Sequence, residues 1–177
     1  ALPILLLIIS IVSFAGYCLS AYRKRLRKRL DEPMKISLLS AAMMALPMLL
    51  LAIIIISIFL TKEQNSLILA YGFSIFFGWL TAIILGMSFK TLPFIVWNKI
   101  FQQQSGKGIT TNPKELFSAI LFNRMAIIYI VGFLFFCTGI IITNNWLLKT
   151  GAALLLLAAV LYNINIFKII SYTPKRN

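Results

Sequence analysis

The stretch Tyr71–Phe101, YGFSIFFGWLTAIILGMSFKTLPFIVWNKIF, decides how the chain is read. At helical spacing Ser74, Gly78, Ala82 and Gly86 recur every four residues, so one face of an apolar helix carries only small side chains. A second helix can come very close to such a face. Past Gly86 the pattern changes. Lys90, Pro93 and Trp97 bring a charge, a helix breaker and an amphipathic aromatic to the place where the hydrophobic run gives out. The stretch reads as a membrane helix that either ends near Lys90 or continues past Pro93 as an amphipathic extension to Phe101.

Working outward, the composition points the same way. The chain has 177 residues, of which 60% are hydrophobic and 12% charged, and a mean hydropathy of +0.94. Soluble domains run at about 45–50% apolar and about 25% charged, so the expected class is an integral membrane protein. Seventeen Lys and Arg against four Asp and Glu leave a net charge of +13. The basic residues sit in the gaps between apolar runs, as the positive-inside rule requires. Nucleic acid is not an expected partner, because the basic run has no interleaved aromatic platform. Anionic lipid is.

The pattern predicts an all-α, polytopic transmembrane helical bundle forming one domain over residues 1–177. About five spans are expected, at 2–22, 36–60, 67–90, 120–143 and 146–170. A polybasic loop at 23–35 follows the first span, and a polar loop at 102–117 precedes the fourth. The run Arg23–Arg29, RKRLRKR, follows its apolar segment rather than preceding it, which is the reverse of a signal peptide. The N-terminus is therefore expected outside and the C-terminus in the cytoplasm, in a multi-pass protein of the inner (plasma) membrane. Opening on Ala1 suits either removal of an initiator Met or the tail of a longer protein.

Smaller features refine this plan. Pro47 is expected to kink the second span, where Met44 and Met48, four apart, are read as packing residues ahead of a Cu(I) pair. Asn112, Pro113 and Glu115 read as a helix start. Asn144 and Asn145 read as a tight turn, with Trp146 anchoring the next helix at the interface. Asn163 and Asn165 are candidates for bonds to a neighbouring helix.

Chemistry is bounded by what the sequence lacks. There is no histidine, the commonest ligand of zinc and copper and the usual axial ligand of haem. Asp31, Glu32, Glu63 and Glu115 all fall in expected loops, so no carboxylate is available within a span for proton relay or cation coupling. Cys18 and Cys137 have neither metal-site nor redox-motif spacing. No catalytic, cofactor-binding or metal residue is expected, and the chain alone is not expected to be an enzyme.

The run GWLTAIILGMSFKTLPFIVW, Gly78–Trp97, with the Gly-Lys loop and PKELF at Pro113–Phe117, resembles the C-terminal half of bacterial multi-pass proteins grouped with haem-copper oxidase subunit I and the NnrS-type proteins. The resemblance covers roughly 70–168. It implies a respiratory setting in which haem is bound by histidine-bearing helices. Since this chain has no histidine, no such ligand maps onto it, and haem is expected only in an absent N-terminal part or a partner.

Two functions follow as expectations. One is a non-catalytic subunit or fragment of a respiratory membrane protein or complex, working by helix packing through Ser74, Gly78, Ala82 and Gly86, with other membrane subunits or the rest of a longer chain as partners. The other is a small transporter or lipid-binding bundle with a polar, inner-side site drawn from Lys90, Trp97, Asn163, Asn165, Arg23 and Arg25.

Overall fold

Inside hydrocarbon no water is present to bond an exposed N–H or C=O, so an apolar run of this length satisfies its backbone by forming a helix. The computed structural model describes residues 2–24, 32–60, 65–101 and 116–172, and no strand occurs among them. In order they form α1 (Leu2–Arg23), α2 (Glu32–Met43), α3 (Ala45–Phe59), α4 (Asn65–Phe73), a π-helical segment (Ser74–Thr81), α5 (Ala82–Phe101), α6 (Ala119–Ile142) and α7 (Asn145–Ile170). Four stretches are long and apolar enough to cross a membrane: Leu38–Phe59, Asn65–Ile100, Ala119–Ile142 and Asn145–Ile170. Within α1 the apolar run Val12–Ala21 is shorter.

Of the two ends expected for the helix carrying the small-residue stripe, the structure has the later one. It runs from Asn65 through Pro93 to Phe101, and its 36-residue apolar part is about 54 Å long at about 1.5 Å per residue, against about 30 Å of hydrocarbon. Pro93 gives up a single backbone bond and is itself buried, so the neighbouring bonds carry the helix past it. The expected span at 36–60 is present as the apolar stretch Leu38–Phe59, with the helix interrupted at Met44 near the kink expected from Pro47. Pro47 offers no N–H to the carbonyl of Met43 and its ring crowds that oxygen. The break therefore falls three residues before the proline, where Met44 N donates to Ala41 O at 3.3 Å.

The α6–α7 turn forms where Asn144 and Asn145 were expected to make it. Thr143 adopts the left-handed conformation at φ 56° and closes α6, and its N–H reaches Ile140 O. Asn144 caps α7, its Oδ1 accepting from Trp146 N at 2.9 Å and Leu147 N at 3.4 Å. Ser118 caps the start of α6. The expected helix start at Asn112, Pro113 and Glu115, together with Arg25 and most of both expected loops, lies outside the described residues.

The α6–α7 hairpin makes the most extensive helix contact, and glycine is the reason. A Cβ on Gly151 would lie 2.6 Å from Phe136 N, and one on Gly139 would lie 2.9 Å from Leu148 N. One on Gly132 would lie 2.9 Å from Leu154 Cβ. At Gly151 and Gly139 the obstructing atoms are backbone, so the helices touch main chain to main chain. Two buried clusters flank this hairpin. One gathers Ala82, Phe89, Phe122, Met125, Tyr129 and Ile169, the other Leu50, Leu67, Ala70, Cys137 and Ile140.

Gly151→Ala is expected to destabilise the purified protein by about 1–3 kcal/mol, the range for forcing an extra carbon into a packed contact. Gly72→Ala, at a position where nothing lies within 4 Å, is expected to be neutral or slightly stabilising. Thermal unfolding of both variants in one detergent checks the contrast.

Candidate functional site

The long helix buries its small side chains in one line. Ala70 and Ser74 are 0% exposed and Ala82 is 3% exposed, with Gly78 and Gly86 buried between and beyond them. A strict four-residue repeat would not stay in line on a pure α-helix, since each step carries it about 40° past a 3.6-residue turn. The π segment between Ser74 and Thr81 supplies the opposite rotation, because i→i+5 closure makes each turn wider than four residues. Two α steps and two π steps nearly cancel. The repeat and the π segment together hold the stripe against its neighbours.

Those neighbours belong to this same chain. The ring of Phe133 on α6 lies over Gly78, where a Cβ would come 2.9 Å from Cζ. Phe73 stacks on Phe77, Phe133 and Phe136, with centroids 4.6 to 5.6 Å apart. Toward the other end of the rod, Phe89 sits among Phe117, Phe122 and Tyr162. Removing side-chain volume from one helix makes room for an aromatic from the next.

Around the π segment three backbone carbonyls also accept from side-chain hydroxyls. Thr81 Oγ1 donates to Phe76 O at 2.8 Å, and Ser74 Oγ donates to Tyr71 O at 2.8 Å. The hydroxyl of Tyr129 on α6 donates across the helix interface to Phe77 O, and Thr81 lies within its hydrogen-bonding reach. A second junction joins the two ends of the last hairpin. Asn165, 1% exposed, accepts from Ser118 N through Oδ1 at 3.1 Å and donates to Ser118 O through Nδ2 at 3.2 Å. One amide side chain thus satisfies both backbone groups of the residue that starts α6.

The other expected site residues are not gathered here. Lys90 is exposed on α5, and Trp97 is half-buried against the first core cluster. Arg23 is exposed at the end of α1. Asn163 does not join a neighbouring helix, which corrects that expectation. It is exposed, and its Nδ2 donates to Ala159 O of its own helix at 2.9 Å. Residues two apart on a helix point to nearly opposite sides, so Asn163 and Asn165 cannot share one interface. Thr91, Thr138 and Thr150 are exposed as well, and each donates to the carbonyl four residues back. This back-bonding lets a polar side chain face hydrocarbon without an unsatisfied donor.

The chain has no histidine, and among the described residues no three of His, Cys, Asp and Glu come together. Cys18 and Cys137 are separate free thiols, the first half-buried on α1 and the second packed with Leu50, Leu67 and Ile140. Met44 and Met48 line a wall of apolar side chains.

Sequence reasoning missed Tyr129, Thr81 and the three glycines of the hairpin. Gly132 and Gly139, seven apart on one helix face, were the available signal for the last. Nothing at residues 74–81 signals a π segment except the unbroken four-residue repeat itself. Against known proteins, the chain matches no family model, no curated protein and no solved structure.

Tyr129→Phe is expected to lower stability by about 0.6–1.7 kcal/mol, the range for interhelical hydrogen bonds in membranes. Asn165→Leu is expected to lower it by about 1–3 kcal/mol, because the half-buried Ser118 N–H then loses its partner, while Ser118 O keeps the N–H of Phe122. Denaturant titration in mixed micelles measures both. An effect of Asn165→Leu below that of Tyr129→Phe would contradict the clamp at Ser118.

Proposed function

We propose that the chain acts as a non-catalytic, multi-pass membrane subunit that works by helix packing. The observation that supports this reading is the use made of the interior polar groups. Tyr129 and Asn165 each bond the backbone of another helix or its cap, and Ser74 and Thr81 bond the backbone of their own. Groups held in this way set the register of helices.

The small face of the long helix is covered by the chain's own α2 and α6. The side open to another subunit is the opposite one, where Phe76, Leu80 and Ile84 are exposed at four-residue spacing. In this reading α1 is a fifth span, with the N-terminus outside, the C-terminus cytoplasmic and the basic run at 23–35 on the cytoplasmic side of the inner membrane. The resemblance of Gly78–Trp97 and Pro113–Phe117 favours a respiratory-type complex as the partner, and any haem then belongs to that partner.

The test is native electrophoresis of membranes extracted in mild detergent, followed by detection of this chain. The expected result is a species well above the 20.0 kDa polypeptide and its detergent, with Phe76→Ala/Ile84→Ala returning the chain to the small form while its melting temperature is kept. A monodisperse single chain in the wild type would overturn the proposal.

A further inference from the structure

Two helices lose their regularity at one level of the bundle. Met43, just before the interruption at Met44, and Ala82, just after the π segment, line the same small cavity of about 10 Å³, with Leu85, Met125 and Tyr129 also around it. The core divides there as well. The boundary between its two clusters falls between Met43 and Leu46 on α2–α3, between Phe73 and Ala82 on the long helix, and between Ile130 and Phe136 on α6. Helix pairing follows the same division, α2 lying on α5 and α3 on α4. Of the helices that cross this level, α6 and α7 run through it unbroken, and their glycines bring them together main chain to main chain.

We propose that the α3–α4 hairpin is a mobile half of the bundle, tilting as one body about the level of Met44 and the π segment, with the Tyr129 hydroxyl on Phe77 O as the latch that holds it to α6. The interruption at Met44 suits a hinge. That residue keeps helical angles (φ −58°, ψ −24°), no side chain caps it, and Pro47 leaves the Met43 carbonyl without its ladder donor. The surfaces under the hairpin are of a kind that slides. Phe73 meets Phe133 and Phe136 as stacked rings, 11° and 30° from parallel, and α3 itself packs mainly on α4, the π segment and α2. In the other half Phe89 meets Phe122 and Tyr162 edge-on, which keys α5 to α6 and α7. Met43 and Met125 border the cavity, and side chains this flexible refill a gap as its walls move. The device is independent of the assembly face on the long helix, so either proposal can fail alone.

The test uses the full chain in lipid nanodiscs, with Cys18→Ala and Cys137→Ala and spin labels on pairs of introduced cysteines. Phe59→Cys/Trp146→Cys spans the end of α3 and the start of α7, and Phe94→Cys/Phe167→Cys joins α5 to α7 in the other half; all four residues are exposed. With 15 residues α3 is about 22 Å long, so a tilt of about 20°, where sharp proline kinks begin, carries its tip about 8 Å. In double electron–electron resonance, Tyr129→Phe is expected to add a population displaced by about that distance in the first pair and to leave the second pair unchanged. Adding Pro47→Ala, which restores the missing donor, is expected to remove the displaced population. A first pair unmoved by Tyr129→Phe would overturn the proposal. Equal broadening of both pairs would overturn it too, since the bundle would then have loosened as a whole, and a displaced population that survives Pro47→Ala would overturn the pivot at Met44.

Discussion

Every backbone N–H and C=O within the hydrocarbon layer has to find its partner inside the protein, and the form of this molecule follows from that requirement. Regular helix meets it over most of the described residues. At several places where the ladder changes or ends, a side chain bonds the main chain, although at Met44 no side chain caps the helix. At the π segment Thr81 and Tyr129 take the carbonyls of Phe76 and Phe77. At Ser118 the amide of Asn165 takes both backbone groups, and at the α6–α7 turn Asn144 takes two of the first N–H groups of α7. Polar residues that face outward are dealt with by the same rule, as the back-bonded Thr91, Thr138, Thr150 and Asn163 show. Polarity inside this bundle serves the main chain.

Packing supplies the second requirement. Lipid tails are as apolar as leucine, so burying leucine against leucine gains little in a membrane, and close fit decides which helices associate. The described core achieves that fit in two ways. Along the long helix, small residues receive aromatic rings, with Phe133 over Gly78 as the tightest case. Between α6 and α7, glycine receives backbone, with Gly151 against Phe136. The second is the less forgiving arrangement, because a ring can rotate or shift by a few tenths of an ångström and a helix backbone cannot.

This distinction explains which parts could be read in advance. Helical content, four helices long and apolar enough to cross a membrane, and the α6–α7 turn were legible because each depends on local composition: apolar length, and an Asn-Asn pair at a chain reversal. The end of the long helix was left open between Lys90 and Phe101, because Lys90 and Pro93 are local stop signals, whereas the helix is held past them by burial of Pro93 and packing of Trp97. The kink expected from Pro47 is present and falls at Met44, because the proline's steric effect acts on the carbonyl four residues earlier. The Tyr129 bond, fifty-two residues from its acceptor in sequence, depends on which helices are neighbours, and no local pattern carries that information.

Small residues therefore do not by themselves define a contact. Gly151 makes one because α6 presents bare backbone to it, and Gly78 makes one because Phe133 is long enough to reach it. Ala15 on α1 and Ala42 and Ala45 on the α2–α3 pair line a cavity, together with larger residues such as Phe14, Leu19 and Met48. The same residue class thus lines a close contact in one half of the chain and an open cavity in the other. A reading of the single helix sees the small residues; only the pair of helices decides whether they become a seam or a gap.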